Sequence, residues 1–226
     1  MKVVLFGATG MVGAGVLHEC LRDDRVDEVW AVQRSSSGRS HPKLRELIRT
    51  DFLDFRDALE DFHGADACFF CLGVSAVGKG EEEYSRLTFD LTLAAGRAMA
   101  EVTPGMTFCY VSGQGTDSSE KGRVMWARVK GRTENALLQL PLRAYMLRPG
   151  YIQPLGGIKS KTRVYSVFYR VMAPVYPVLR RLTPNLVTTN ETVGRAMIEL
   201  ALRGYPKRIL EVRDINKQGA KGAEGA

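Results

Sequence analysis

The run Lys2-Val3-Val4-Leu5-Phe6-Gly7-Ala8-Thr9-Gly10-Met11-Val12-Gly13 decides the fold. Val3 to Phe6 is a short apolar run that stops at a glycine, the pattern of a buried strand. From Met11 to Leu21, the residues Val12, Val16, Leu17 and Leu21 recur on one helical face. The glycines between strand and helix have separate tasks. Gly7 permits the tight turn off the strand, Gly10 lets backbone amides approach a pyrophosphate, and Gly13 lets the helix pack close to the sheet. The helix N-terminus adds free N–H groups and the positive end of its dipole. A glycine triplet alone is weak evidence. With the strand before it and the helix after it, it becomes a dinucleotide-binding turn.

Outward from that turn, strand and helix patterns alternate. Val29 to Val32 is a second strand, and Arg34 to Pro42 is a polar loop. Leu44 to Ile48 is either a short amphipathic piece or a strand leading to Asp51, and Asp54 to Phe62 is a short helix. Ala67 to Leu72 is a strand, Glu81 to Glu101 a long helix, and Thr107 to Val111 a strand. Trp126 to Leu140 is a helix and Leu142 to Leu147 a strand. This alternation predicts an α/β fold of the Rossmann type, a doubly wound parallel sheet with helices on both faces. After Gly150 the pattern changes to a small C-terminal annex over 155–190. There Val164, Val167, Phe168, Val171, Met172 and Val175 predict a helix with one apolar face, kinked at Pro174 and Pro177. A helix over Glu191 to Leu202, capped by Thr189 or Asn190, and a late strand over Arg208 to Val212 complete a single domain spanning 1–216. The tail 217–226, rich in Gly, Ala and Lys, is expected to be disordered.

Composition narrows the class. Hydrophobic residues at 45% and charged residues at 25% are ordinary for a soluble globular chain. No run reaches the roughly 18 apolar residues that span a bilayer, and the start lacks a secretory pattern, so a cytoplasmic protein without a transmembrane segment is expected. Cys68 and Cys71 have CxxC spacing, but residues three apart on a strand point to opposite faces. With no second Cys/His pair to complete a metal site, they read as core cysteines, and no metal is expected. The net charge of +7 is concentrated in one place. From Gly150 to Asn190 there is no acid, while Lys159, Lys161, Arg163, Arg170, Arg180 and Arg181 all lie there. An anionic ligand, an acidic protein partner or peripheral contact with an anionic membrane could use that segment. A solvated basic face is the plainer explanation. No nucleic-acid partner is expected.

The end of the second strand bears on the nucleotide. NAD sites usually place an acid there for the ribose 2′-hydroxyl. Here Gln33 is followed by Arg34, Ser35, Ser36, Ser37 and Arg39, a basic, hydroxyl-rich loop. Asp27 and Glu28 lie at the opposite end of the strand. A guanidinium pairs well with a phosphate dianion, which favours NADP(H) over NAD(H).

Together these motifs resemble the short-chain dehydrogenase/reductase superfamily, and within it the atypical branch of Tat-interacting-protein-like oxidoreductases. The resemblance rests on the GATGxxG pattern at Gly7 to Gly13, Cys71-Leu72-Gly73, Val129-Lys130-Gly131 and Leu147-Arg148-Pro149-Gly150. It covers residues 1 to about 155 well and is loose afterwards. It implies that Gly7, Thr9, Gly10, Met11, Val12 and Gly13 cradle phosphates, and that Arg34 and Ser35 hold a 2′-phosphate. It further implies that Asp51 and Phe52 flank the adenine and that Leu72 and Gly73 line the ribose. Ser112, Lys130, Pro149, Tyr151 and Ile152 would face the nicotinamide. The resemblance also implies Ser, Tyr and Lys catalysis, with the tyrosine four residues before the lysine on one helical face. That position is Trp126 here. An indole N–H donates a hydrogen bond but does not exchange a proton near neutral pH. Lys130 and Ser112 remain as candidate catalytic residues, with Tyr84, Tyr110 and Tyr151 as alternative phenols. The expected function is an NADP(H)-dependent oxidoreductase or epimerase-like enzyme on a small substrate. The alternative is an NADP(H)-sensing module that acts through a protein partner.

Overall fold

β1 (Lys2–Phe6) sends alternate side chains to opposite faces: Val3 and Leu5 join one apolar cluster, and Val4 and Phe6 join the other. A strand buried on both faces needs cover on both, and the rest of the chain supplies it. The computed structural model describes residues 1–155 and 185–224. Along these residues follow α1 (Met11–Arg22), β2 (Glu28–Gln33), β3 (Leu44–Ile48) and β4 (Ala67–Phe70). Next come α2 (Glu81–Ser85), a π-helical turn (Arg86–Asp90), α3 (Leu91–Val102), β5 (Thr107–Val111) and α4 (Met125–Leu138). The described chain closes with β6 (Arg143–Arg148), β7 (Tyr151–Gln153), β8 (Val187–Thr189), α5 (Asn190–Arg203), β9 (Ile209–Glu211) and α6 (Val212–Glu224).

Seven strands form one parallel sheet in the order β3-β2-β1-β4-β5-β6-β9. β7 and β8 form a separate parallel pair, with Ile152 opposite Thr188. The strand order reverses between β1 and β4. At such a switch point the loops leave in opposite directions and open a crevice at the C-terminal ends of the strands. One face of the sheet is covered by α1, α5 and α6, through Val16, Leu17, Met197, Ile198 and Ile215. The other is covered by α3 and α4, through Ala95, Met99 and Leu137, and by the loop aromatics Phe52, Phe55 and Phe62. Cys68 lies in the second cluster, while Cys71 packs against the first, and both are free thiols.

Several boundaries differ from the sequence expectation, each for a local reason. Among the described residues, Leu44–Ile48 is an edge strand, paired only with β2. The expected helix over 54–62 is two 3-10 turns, Arg56–Ala58 and Glu60–Phe62. Asp54 accepts from the Arg56 amide at 3.0 Å, a side-chain bond that competes with helical ladders. The long helix expected over 81–101 is interrupted by the π turn at Arg86–Asp90. The strand expected to reach Leu72 ends at Phe70, and that expected over 208–212 ends at Glu211. Thr189 caps α5, its hydroxyl accepting from the Thr192 amide at 3.0 Å.

The tail is the largest correction. Instead of becoming disordered at Lys217, α6 continues to Glu224. Val212, Ile215, Gly219 and Gly222 are buried at helical spacing. A Cβ on Gly219 would lie 2.5 Å from the Thr192 carbonyl oxygen, so the small residues are a packing surface against α5. Composition that resembled a disordered tail is here the contact face of a helix. The apolar helix expected over 164–175 and the cations Lys159 to Arg181 lie outside the described residues. Among the described residues, no helix is long and apolar enough to cross a membrane.

Candidate functional site

Two adjoining clefts open at the C-terminal edge of the sheet. The first, about 560 Å³, is lined by Gly7, Thr9 and Gly10 after β1, Arg34 after β2, and Thr50, Asp51 and Phe52 after β3. Leu72 and Gly73 after β4, with Glu83, Arg86, Leu87 and Leu91 from the α2–α3 helical run, complete it. The second, about 640 Å³, is lined by Met11, Val12, Ser112, Gly113, Gln114, Lys130, Pro149, Gly150, Tyr151 and Ile152. Gly10, Cys71, Leu72, Gly73 and Val74 belong to both. One elongated crevice therefore crosses the switch point.

The glycine turn sets its floor. Gly7 has φ +81°, a left-handed conformation costly for any residue with a Cβ. A Cβ on Gly13 would lie 2.1 Å from the Gly7 carbonyl oxygen, so α1 sits directly on the turn. Gly13 does not line either cleft; it acts from beneath. The N-cap Gly10 has no side chain to close the helix, and the first turn carries no acid. First-turn amides without a capping side chain form an anion-binding end.

The loop after β2 differs in detail from its sequence reading. Arg34 lines the first cleft and makes no ion pair among the described residues. Ser35 is exposed and outside the lining. Ser37 donates its hydroxyl to Glu46 at 2.5 Å and its amide at 2.9 Å, and Gln33 Nε2 donates to the same oxygen at 2.6 Å. Hydrogen bonds from Ser36 and Ser37 hold the Glu46 carboxyl down to about 2. Two of the three loop serines are thus engaged by an acid that β3 brings alongside. Glu46 was not foreseen, because its place beside the loop depends on the β2–β3 register, in which Ala31 faces Glu46.

In the second cleft, Lys130 donates from Nζ to the Ser112 carbonyl. Burial lowers its ammonium pKa to about 8, against the opposing pull of Glu134. Ser112 Oγ lies 2.5 Å from Glu134 Oε1 and 3.1 Å from the Leu147 carbonyl oxygen. Its single proton is committed to one of these acceptors, so toward the cleft the hydroxyl offers only lone pairs. Glu134 is fully buried and engaged by Arg148, whose Nε lies 3.0 Å from Oε1 and whose Nη2 contacts Oε2. Arg148 Nη2 also donates to Ser118 Oγ at 2.6 Å. Glu134 went unnoticed in the sequence. The available signal was its position four residues after Lys130, on the same face of α4.

The aromatic candidates separate clearly. Tyr84 and Tyr110 are buried, and neither lines the cleft. Burial pushes the Tyr110 phenol far up. Tyr151 lines the second cleft, its hydroxyl donating to Gln153 Oε1 at 2.8 Å. Trp126 is half-buried and outside the lining; its ring reaches 3.6 Å from where a Cβ on Gly115 would stand.

Comparison with known proteins agrees with this architecture. The model of the NAD dependent epimerase/dehydratase family matches residues 3–116. The chain is 26% identical over 211 residues to "Protein fmp52, mitochondrial" of Emericella nidulans, covering 89% of this chain and 88% of that protein. It is 28% identical over 143 residues to the leucinostatins biosynthesis cluster protein T of Purpureocillium lilacinum. That match covers 62% of this chain and spans about half, 52%, of the relative. Among solved structures, dTDP-glucose 4,6-dehydratase DesIV from Streptomyces venezuelae, with NAD bound, superposes with TM-score 0.68 at 15% identity. It covers 100% of this chain and 82% of that one. UDP-N-acetylglucosamine 4-epimerase from Methanobrevibacter ruminantium M1 gives 0.67 at 14%, covering 96% and 80%. At such identities these two likenesses concern the fold. The resemblance to atypical short-chain dehydrogenase/reductases is borne out by the family match and the Fmp52 relatives. The cytoplasmic expectation is overturned, because the Fmp52 relatives are named mitochondrial proteins. Lack of a secretory pattern addresses only the secretory route.

Proposed function

The chain belongs to the NAD-dependent epimerase/dehydratase family, and on that premise we propose that it is an NADP(H)-dependent oxidoreductase or epimerase-like enzyme acting on a small substrate. The observation that carries the cofactor reading is Arg34. It is a guanidinium at the mouth of the first cleft, without an ion pair among the described residues, where an NAD site would carry an acid.

The residues present fit a dinucleotide. The amides at Gly10, Met11 and Val12 would take the pyrophosphate, which the glycine backbone lets approach closely. Thr9 and Gly7 would flank it. Arg34, with Ser35 beside it, would take the 2′-phosphate; Asp51 and Phe52 would border the adenine; Leu72 and Gly73 would border the ribose. Lys130 would hold the nicotinamide ribose, and Pro149, Tyr151 and Ile152 would back the nicotinamide. A bound nicotinamide supplies hydride transfer. The chain's own part is to exclude water and move a proton. Trp126 cannot move that proton, and the Ser112 proton is held by Glu134 or Leu147. Lys130 is the group in the second cleft suited to carry it, because the single phenol proton of Tyr151 is donated to Gln153 Oε1.

Trp126 also supports the second reading, a nucleotide-sensing module without turnover. NADPH oxidation with a panel of aldehydes and ketones separates the two. Steady turnover supports the enzyme, and background rates with intact binding support the module. For the cofactor, calorimetry should find NADPH bound more tightly than NADH. Arg34→Ala should erase most of that margin, since a charge-assisted contact is worth about 1.5–3 kcal/mol. Equal affinities in the native protein would end the NADP(H) reading.

A further inference from the structure

Arg34 does not face the first cleft alone. Arg86, on the helical wall, lines the same space, is exposed, and forms no ion pair among the described residues. The neighbouring cations are committed elsewhere. Arg49 donates to Asp57 at 2.7 Å and to the Asp54 carbonyl at 2.9 Å, and Arg56 pairs with Asp54. The acids in the lining are committed too: Glu83 pairs with Lys79, and Asp51 accepts from the Leu53 amide at 2.7 Å. A guanidinium beside such acids would ordinarily be drawn to one of them, yet Arg86 pairs with none of the described acids.

The loop after β2 is also poorer in donors than its sequence promises, because Ser36 and Ser37 are taken by Glu46. A phosphate carries a charge of about −1.5 to −2, and Arg34 alone balances only one unit of it. Arg86 begins the π-helical turn Arg86–Asp90, and single π turns recur where helices line functional sites.

We propose that Arg86 is a second cationic contact for the 2′-phosphate of NADP(H), closing on it from the helical wall of the cleft while Arg34 holds it from the β2 loop. This rests on the NADP(H) reading above and adds a nucleotide-specificity residue that the glycine-loop and β2-end motifs do not contain. With Glu83 paired to Lys79, the two arginines are the cations of the lining that carry no ion pair among the described residues.

The experiment is calorimetry of NADPH, NADH, 2′,5′-ADP and 5′-AMP against the native chain, Arg86→Met and Arg86→Lys. Arg86→Met should weaken NADPH and 2′,5′-ADP roughly tenfold or more, while NADH and 5′-AMP are unchanged. Arg86→Lys keeps the charge without the fork, so it should fall between native and Met. If the native chain prefers NADPH but Arg86→Met lowers all four ligands alike, or none, the Arg86 contact is wrong and the NADP(H) reading stands. If the native chain shows no preference for NADPH, both fall together.

Discussion

Backbone shapes the cleft beside the glycine turn, while a buried charge network shapes the cleft beside Ser112. In the first, the decisive contact is between Gly13 and the Gly7 carbonyl, and Arg34 and Arg86 line the space with no ion pair among the described residues. In the second, Lys130, Ser112, Glu134 and Arg148 are tied to one another before any ligand arrives. A backbone-built cleft is tuned by what it admits. A charge-built cleft is tuned by its protonation state and is sensitive to the loss of one member.

That difference sets the order of expected effects. Glu134→Ala should be the most damaging, because it leaves the Arg148 guanidinium short of its buried partner. Removing one member of such a pair costs about 3–5 kcal/mol, measurable by urea unfolding. Glu134→Leu combined with Arg148→Met should recover much of that loss. A single-variant cost no larger than that of an exposed ion pair would refute the buried network. Gly13→Ala comes next. Its Cβ must displace the turn from 2.1 Å, an overpacking cost of about 1–3 kcal/mol. Dinucleotide binding should be lost along with it. Retained NADPH affinity in Gly13→Ala would mean that the turn is not the phosphate cradle.

A third effect is a pH dependence that belongs to the second cleft. The folded-state pKa of Lys130 is lowered from 10.5 to about 8. Between these values the unfolded chain holds a proton that the folded chain has released, so this group makes stability rise with pH through that window. Below the folded value both states are charged and the slope vanishes. Relative to Lys130→Met, native stability should therefore improve from pH 8 toward pH 10. Parallel stability curves for the two proteins would show that Lys130 is not perturbed.

The sequence disclosed the strand-end residues of both clefts. Gly7, Thr9, Gly10, Arg34, Asp51, Phe52, Leu72 and Gly73 were all named from motifs, and all line one space. They follow successive strands of a parallel sheet, and strand ends carry their loops to one edge whatever the details of packing. Met11, Val12, Ser112, Lys130, Pro149, Tyr151 and Ile152 likewise converge on the second cleft. What escaped were partners joined across elements. Glu46 reaches the serine loop from β3, Arg86 reaches the Arg34 cleft from a helix, and Glu134 on α4 joins Ser112, just past β5, to Arg148 on β6.

By itself, the sequence determined the glycine turn, the alternation of strands and helices, the missing acid after β2 and the tryptophan at position 126. These are matters of local spacing and residue type, and local spacing survives without knowledge of the fold. Only the tertiary structure decided that two serines are spent on Glu46, that the Ser112 proton is committed, that Tyr151 and not Tyr84 or Tyr110 meets the cleft, and that the tail is a packed helix. Each of these depends on which distant side chain arrives within hydrogen-bond or van der Waals reach. Sheet register and helix packing set that distance, and neither is encoded in any one stretch of chain.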